Sequence, residues 1–131
     1  MKTKAEYDAM SERIIAAAIE VHRELGPGLL ESVYETCLLK ELKHQGLSAR
    51  QQVLLPIVYK NEKFDKEFFI DILVENEIVV ELKAVEVLLP VHEVQLVTYL
   101  KLADKRLGLL LNFNVPVLKN GIRRKVNHLI E

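Results

Sequence analysis

The chain has 131 residues, half of them hydrophobic and 28% charged, with 18 basic against 19 acidic side chains for a formal net charge of −1. That length and balance fit one globular domain spanning 1–131, too short for two ordinary domains, and exclude a disordered or fibrous polymer. No stretch approaches the ~20 apolar residues of a membrane span, and the near-neutral charge supplies no overall basic face for nucleic acid. The opening MKTKAEYDAM lacks the apolar core of a signal peptide, so a cytoplasmic protein without membrane partners is expected. The single Cys37 excludes an internal disulfide. It falls in an apolar helical stretch without a Cys or His partner at metal-ligand spacing, which reads as a packed thiol.

A first helix is predicted over 5–25, with Ile14, Ile15, Ala18, Val21 and Leu25 at three-to-four spacing and Gly26-Pro27 as its stop. His22, Arg23 and Glu24 near its end are read as exposed. A second helix runs over 29–45, closed by Gly46, with Leu30, Val33, Tyr34, Cys37, Leu38 and Leu42 as its apolar stripe. Glu31 lies in its first turn, where the helix dipole favours an acid. It shares a side with Tyr34 and Leu38 and so borders the buried face. A strand follows over 51–60, in which Val53, Leu55, Ile57 and Tyr59 alternate and Pro56 argues for an edge position or a bulge. A loop is expected over 61–63.

The segment FFIDILVENEIVVELK, 68–83, holds two apolar runs around the polar break Glu75-Asn76-Glu77 and reads as a β-hairpin. Both runs are apolar on both faces, as in strands covered on both sides, where a charge is costly unless compensated. Yet Asp71 interrupts the first, and Glu81 and Lys83 the second. A three-residue loop centred on Asn76 sets Asp71 opposite Glu81, and alternation puts Lys83 on the face of Glu81. Two opposed carboxylates repel unless a cation lies between them. A hard divalent ion held by carboxylate oxygens, Mg²⁺ above all, meets that need. The competing reading is a structural salt bridge from Lys83 to one of the acids.

A third helix is predicted from Pro90, at the first helical position, to Ala103. Val94, Val97 and Leu100 are its core candidates, and His92, Gln95 and Tyr99 form one stripe that is either its solvent side or a cover over the carboxylate patch. Leu107 to Phe113 reads as an interior strand. Val115 to Ile130 adds an irregular strand or a hairpin around Asn120-Gly121, and Arg123-Arg124-Lys125 is the densest basic run. The order is α-α-β-β-β-α-β, an α/β (α+β) chain with a central mixed β-sheet flanked by helices.

That order, with Asp71 on one strand and Glu81-Leu82-Lys83 ten residues on, resembles the restriction-endonuclease-like core of the PD-(D/E)XK nuclease superfamily, Ile70 standing where the motif's proline would be. Gly28-Leu29-Leu30-Glu31-Ser32-Val33-Tyr34 is similar to the heptapeptide of the GxxExxY protein family, and the likeness extends over about 22–114. The resemblance implies that Glu31 joins Asp71 and Glu81 as a metal ligand. It also implies that Gln95 and Tyr99 correspond to a Q-x-x-x-Y helix motif in which the Gln borders the active site; Tyr99 and His92, on the same stripe, are expected at the site's periphery.

The function expected is metal-dependent hydrolysis of phosphodiester bonds. Asp71 and Glu81, assisted by Glu31, would hold Mg²⁺ or Mn²⁺; Lys83 would position or activate the attacking water; Gln95 would orient the ligands or the scissile group. Nucleic acid is the implied partner, DNA ahead of RNA, with a homodimer or a partner protein supplying further surface. Two rival readings remain: a catalytically weak or inactive nuclease-fold module that binds nucleic acid or protein, and a hydrolase using the same metal chemistry on another substrate.

Overall fold

The computed structural model describes residues 2–129, with Asp65 defined in its backbone only. Helix α1, Lys4–Leu25, begins on a reciprocal cap in which the Thr3 hydroxyl accepts from the Glu6 amide and the Glu6 carboxylate accepts from the Thr3 amide, both at 3.1 Å. It ends where Gly26 turns to φ +70°, and Gly28 follows at φ +98°. Neither glycine has a neighbour that a Cβ would meet, so each is there for its backbone angle. Helix α2, Glu31–His44, follows.

Five strands follow: β1 (Ala49–Tyr59), β2 (Glu62–Val74), β3 (Ile78–Lys83), β4 (Leu107–Asn112) and β5 (Ile122–Val126), with helix α3 (Pro90–Ala103) between β3 and β4. They form one sheet in the order β1-β2-β3-β4-β5. β3 and β4 are parallel and the other neighbours antiparallel. The mixed sheet flanked by helices has the restriction-endonuclease-like arrangement that the sequence led us to expect.

Helices α1 and α2 cover one face, packing Ile14, Ala17, Ala18, Tyr34, Leu38 and Leu42 on the inward residues of β3 and β4. Helix α3 covers the other with Leu96 and Leu100 over Leu55, Ile70, Val79 and Leu110. Gly108 permits that approach, since a Cβ there would lie 2.7 Å from the Leu96 side chain. Alternation along β3 sends Ile78, Val80 and Leu82 toward α1 and α2 and Val79 toward α3. Glu81 and Lys83 therefore fall on the α3 face.

Tyr34 ties the two glycines to the core. Its hydroxyl donates to the Gly26 carbonyl at 2.6 Å and accepts from the Leu29 amide at 3.1 Å, while its ring stacks on Phe113 at 4.5 Å. Tyr34→Phe keeps the stacking and abandons both hydrogen bonds. Because Gly26 is half-buried and water can replace part of the loss, the expected destabilisation is roughly 1–2 kcal/mol, measurable as a lower denaturant midpoint at unchanged slope.

Several expectations need correction. β2 starts at Glu62, leaving only Lys60 and Asn61, both at positive φ, to turn between it and β1. In its outer half Phe68 and Phe69 are exposed, so that run is not covered on both faces. Leu30, 74% exposed, and Val33 lie off the buried stripe of α2 because the helix begins only at Glu31 and presents Tyr34, Leu38 and Leu42 to the core. In α3 the residue that packs with Leu100 is Leu96, and Val94 is 62% exposed; that helix is apolar on several sides, so spacing could not choose its inner face. His22 is buried, its Nε2 2.8 Å from the Val115 carbonyl oxygen, because the segment after β4 folds back over the end of α1. Asn120-Gly121 closes a 3-10 turn, Leu118–Gly121, that leads into β5, and no hairpin forms there. Ile130, the end of the predicted segment, lies outside the described residues.

Candidate metal centre

The turn between β2 and β3 fixes the register of the acids. Glu75 and Asn76 adopt left-handed backbone angles and the Glu77 amide closes the turn on the Val74 carbonyl at 2.9 Å. Three side-chain contacts hold it: Glu75 accepts from the Ser48 amide, Asn76 from Arg50, and Glu77 from the Tyr7 hydroxyl. Pairing runs Val74 with Ile78, Leu73 with Val79 and Ile72 with Val80. The next step places Asp71 opposite Glu81, as a three-residue loop requires. There the backbone ladder gives way to a side chain, and the Leu82 amide donates to Asp71 Oδ2 at 2.9 Å.

Glu81 is 8% exposed, and its Oε1 has no hydrogen-bond partner. Burial pushes its carboxyl up to about 10, aided by a hydrogen bond with Asp71 and by the Asp71 charge, with Lys83 opposing through its own charge. Asp71 is the acid supplied with donors, from the Leu82 amide and, at 3.4 Å, from Gln52 Nε2. Burial and the neighbouring Asp71 thus favour the protonated form of Glu81. A buried oxygen without a partner, beside a carboxylate already supplied with donors, is a vacancy in the hydrogen-bonding scheme that a hard cation fits.

Mg²⁺ or Mn²⁺ suits this donor set, since such ions take one or two carboxylates and keep several waters. Among the described residues no group of three His, Cys, Asp or Glu side chains converges as a metal cage. Water or a substrate oxygen would complete the coordination.

The other candidates fall around this pair. Lys83 is half-buried at the end of β3 and makes no ion pair among the described residues, so the structural salt bridge does not form. On α3, Gln95 Nε2 donates to the Tyr99 hydroxyl at 3.1 Å. Burial pushes the Tyr99 hydroxyl up, the Gln95 hydrogen bond opposes that, and the charges of Glu81 and Asp71 add to it. Phe68 meets the Tyr99 ring edge-on at 6.4 Å. His92 Nδ1 accepts from the Leu89 amide at 3.0 Å and so caps α3.

Glu31 is exposed in the first turn of α2. The helix acid that hydrogen bonds connect to Asp71 is Glu35, whose Oε1 accepts from Gln52 Nε2 at 2.8 Å. Burial raises Glu35, the Gln52 hydrogen bond opposes that, and the charges of Asp71 and Glu31 add to it. Sequence reasoning missed Glu35 and Gln52. Glu35 lies one turn after Glu31 on the same helix face, which is a usable signal; a Gln on an edge strand carries none. The basic run of β5 is ion-paired locally, Arg123 and Lys125 both with Glu93 at 3.9 and 2.7 Å and Arg124 with Asp8 at 2.8 Å.

A model of the PD-(D/E)XK nuclease superfamily matches residues 8–125. No curated protein and no solved structure matches the chain. No helix is long and apolar enough to cross a membrane among the described residues. The family match takes in every helix and strand from within α1 to within β5, including the strands that carry Asp71, Glu81 and Lys83; the chain belongs to the PD-(D/E)XK nuclease superfamily.

Proposed function

We propose that this protein is a divalent-metal-dependent nuclease, of the GxxExxY group within its superfamily, that hydrolyses phosphodiester bonds, in DNA ahead of RNA, in the cytoplasm. The observation that carries the reading is the buried, unpartnered Glu81 Oε1 facing Asp71. A bound Mg²⁺ or Mn²⁺ would polarise the phosphoryl oxygen and supply a nucleophilic water at neutral pH. Asp71 and Glu81 would hold it, and Glu31, exposed in the first turn of α2, would assist. Lys83, which makes no ion pair among the described residues, orients the attacking water and offsets charge that builds up on the phosphate. Gln95 orients the ligands or the scissile group from α3, Tyr99 packs beside it, and His92 fixes the start of that helix.

Nucleic acid needs more basic surface than a chain of net charge −1 offers. A second copy or a partner protein is the source we favour. The test is cleavage of single-stranded, duplex and branched DNA and of RNA with Mg²⁺ or Mn²⁺, run beside Glu81→Ala. Metal-dependent cutting by the parent and none by the variant is the expected result. No cutting by the parent, with metal binding that still depends on Glu81, would turn the reading to a nuclease-fold binding module. Cutting that Glu81→Ala leaves intact would remove the site from the chemistry altogether.

A further inference from the structure

Gln52 has a backbone that its strand does not explain. It lies inside β1, between the regular pairs Gln51 with Ile72 and Val53 with Ile70, and so stands opposite Asp71. Its φ is +49°, in the left-handed region that a side chain with a Cβ seldom occupies. Strain of this kind persists where surrounding structure holds it, and it concentrates at functional sites. What holds Gln52 is its side-chain amide. One nitrogen, Nε2, reaches Glu35 Oε1 at 2.8 Å and Asp71 Oδ1 at 3.4 Å, bridging helix α2 to strand β2. Asp71 is thereby held from two directions, since its second oxygen accepts from the Leu82 amide on β3 at 2.9 Å.

We infer that Gln52 is a positioning residue for the metal centre: its amide, anchored on Glu35, fixes the orientation of Asp71 toward Glu81. This rests on the reading that Asp71 and Glu81 hold the metal. The amide suits the task because it donates to two carboxylates without carrying charge. A lysine there would hold Asp71 as an ion pair and compete with the cation, whereas a carboxylate would repel both acids. Hydrogen-bond partners of this kind, acting through the ligand they orient, typically change metal affinity by 10–100-fold.

Gln52→Gly separates positioning from folding, because glycine accepts φ +49° without strain while removing the amide. The metal-free variant is expected to melt no lower than the parent. Its Leu82 amide, bonded to a side chain that is no longer held, should exchange with solvent at least ~10-fold faster, while the Val80 amide in the same strand stays at the parental rate. Calorimetry with Mn²⁺ alone should show affinity lower by roughly 10–100-fold. Parental Leu82 exchange in the variant, or Mn²⁺ bound as tightly as by the parent, overturns the role of Gln52. A parent that binds no Mn²⁺ overturns the metal centre instead, and Leu82 exchange then decides alone whether Gln52 positions Asp71.

Discussion

Lys83→Ala should slow cleavage by roughly 10²–10⁴-fold without weakening the metal. The ammonium lies on the face of Glu81 and acts on it through charge alone. Removing it takes one positive charge away from two carboxylates, so Mn²⁺ affinity should hold or rise. Turnover should fall because the ammonium that orients the water and offsets negative charge on the phosphate is gone. Asp71→Ala is the contrasting variant. It removes the carboxylate that faces Glu81 and accepts from the Leu82 amide, and both metal binding and cleavage are expected to disappear. Calorimetry with Mn²⁺ beside single-turnover cleavage separates the two patterns. An Asp71→Ala protein that cuts as fast as the parent would sink the assignment, and a Lys83→Ala protein that loses metal would give Lys83 a structural role.

The second large effect is on stability and follows from Glu81. Its carboxyl is raised to about 10 in the folded protein from an ordinary 4.5. Below the ordinary value both the folded and the unfolded chain hold the proton, and no penalty arises. Above it the unfolded chain releases the proton while the folded chain keeps it, so stability falls as pH rises toward 10. The limiting slope for one group is ~1.4 kcal/mol per pH unit. Some relaxation accompanies ionisation, so a loss on the order of 2 kcal/mol between about pH 6 and about pH 9 is expected in metal-free buffer.

Glu81→Gln keeps the shape, removes the titration and should flatten that dependence. At about pH 9 it should melt higher than the parent by several degrees, at roughly 3–5 °C per kcal/mol for a chain of this size. If Asp71 and Glu81 hold Mn²⁺, the ion would compete with the Glu81 proton, so it should stabilise the parent at high pH and leave Glu81→Gln nearly unaffected. Thermal melts of both proteins at the two pH values, with and without Mn²⁺, test this. A parent whose melting temperature does not fall with pH would show that Glu81 ionises freely, and the buried proton would have to be abandoned.

Much of this site is legible before folding because strand periodicity is short-range. Asp71 in one apolar run and Glu81 and Lys83 in the next can be placed on facing strands once the turn at Glu75-Asn76-Glu77 is given its length, and the pairing of Ile72 with Val80 agrees. The helices were less legible where their apolar character wraps around. Val94 and Leu96 look alike in sequence, and only the surface of β4 at Gly108, where Leu96 comes closest, decides which one is buried. His22 was misplaced for a related reason. Its partner, the Val115 carbonyl, is 93 residues away, and no local pattern foretells it.

The sequence by itself determined the order of elements, the three-residue turn and the opposition of Asp71 to Glu81, since each depends on spacing within one helix or one hairpin. Tertiary structure alone decided that Glu81 is buried with an unpartnered oxygen, that Lys83 makes no ion pair among the described residues, and that Glu35 rather than Glu31 is bonded through Gln52 to Asp71. Those outcomes depend on how α2 and α3 settle against opposite faces of the sheet. Desolvation and hydrogen-bond reach change over a few ångströms of that packing, a distance that residue spacing does not encode.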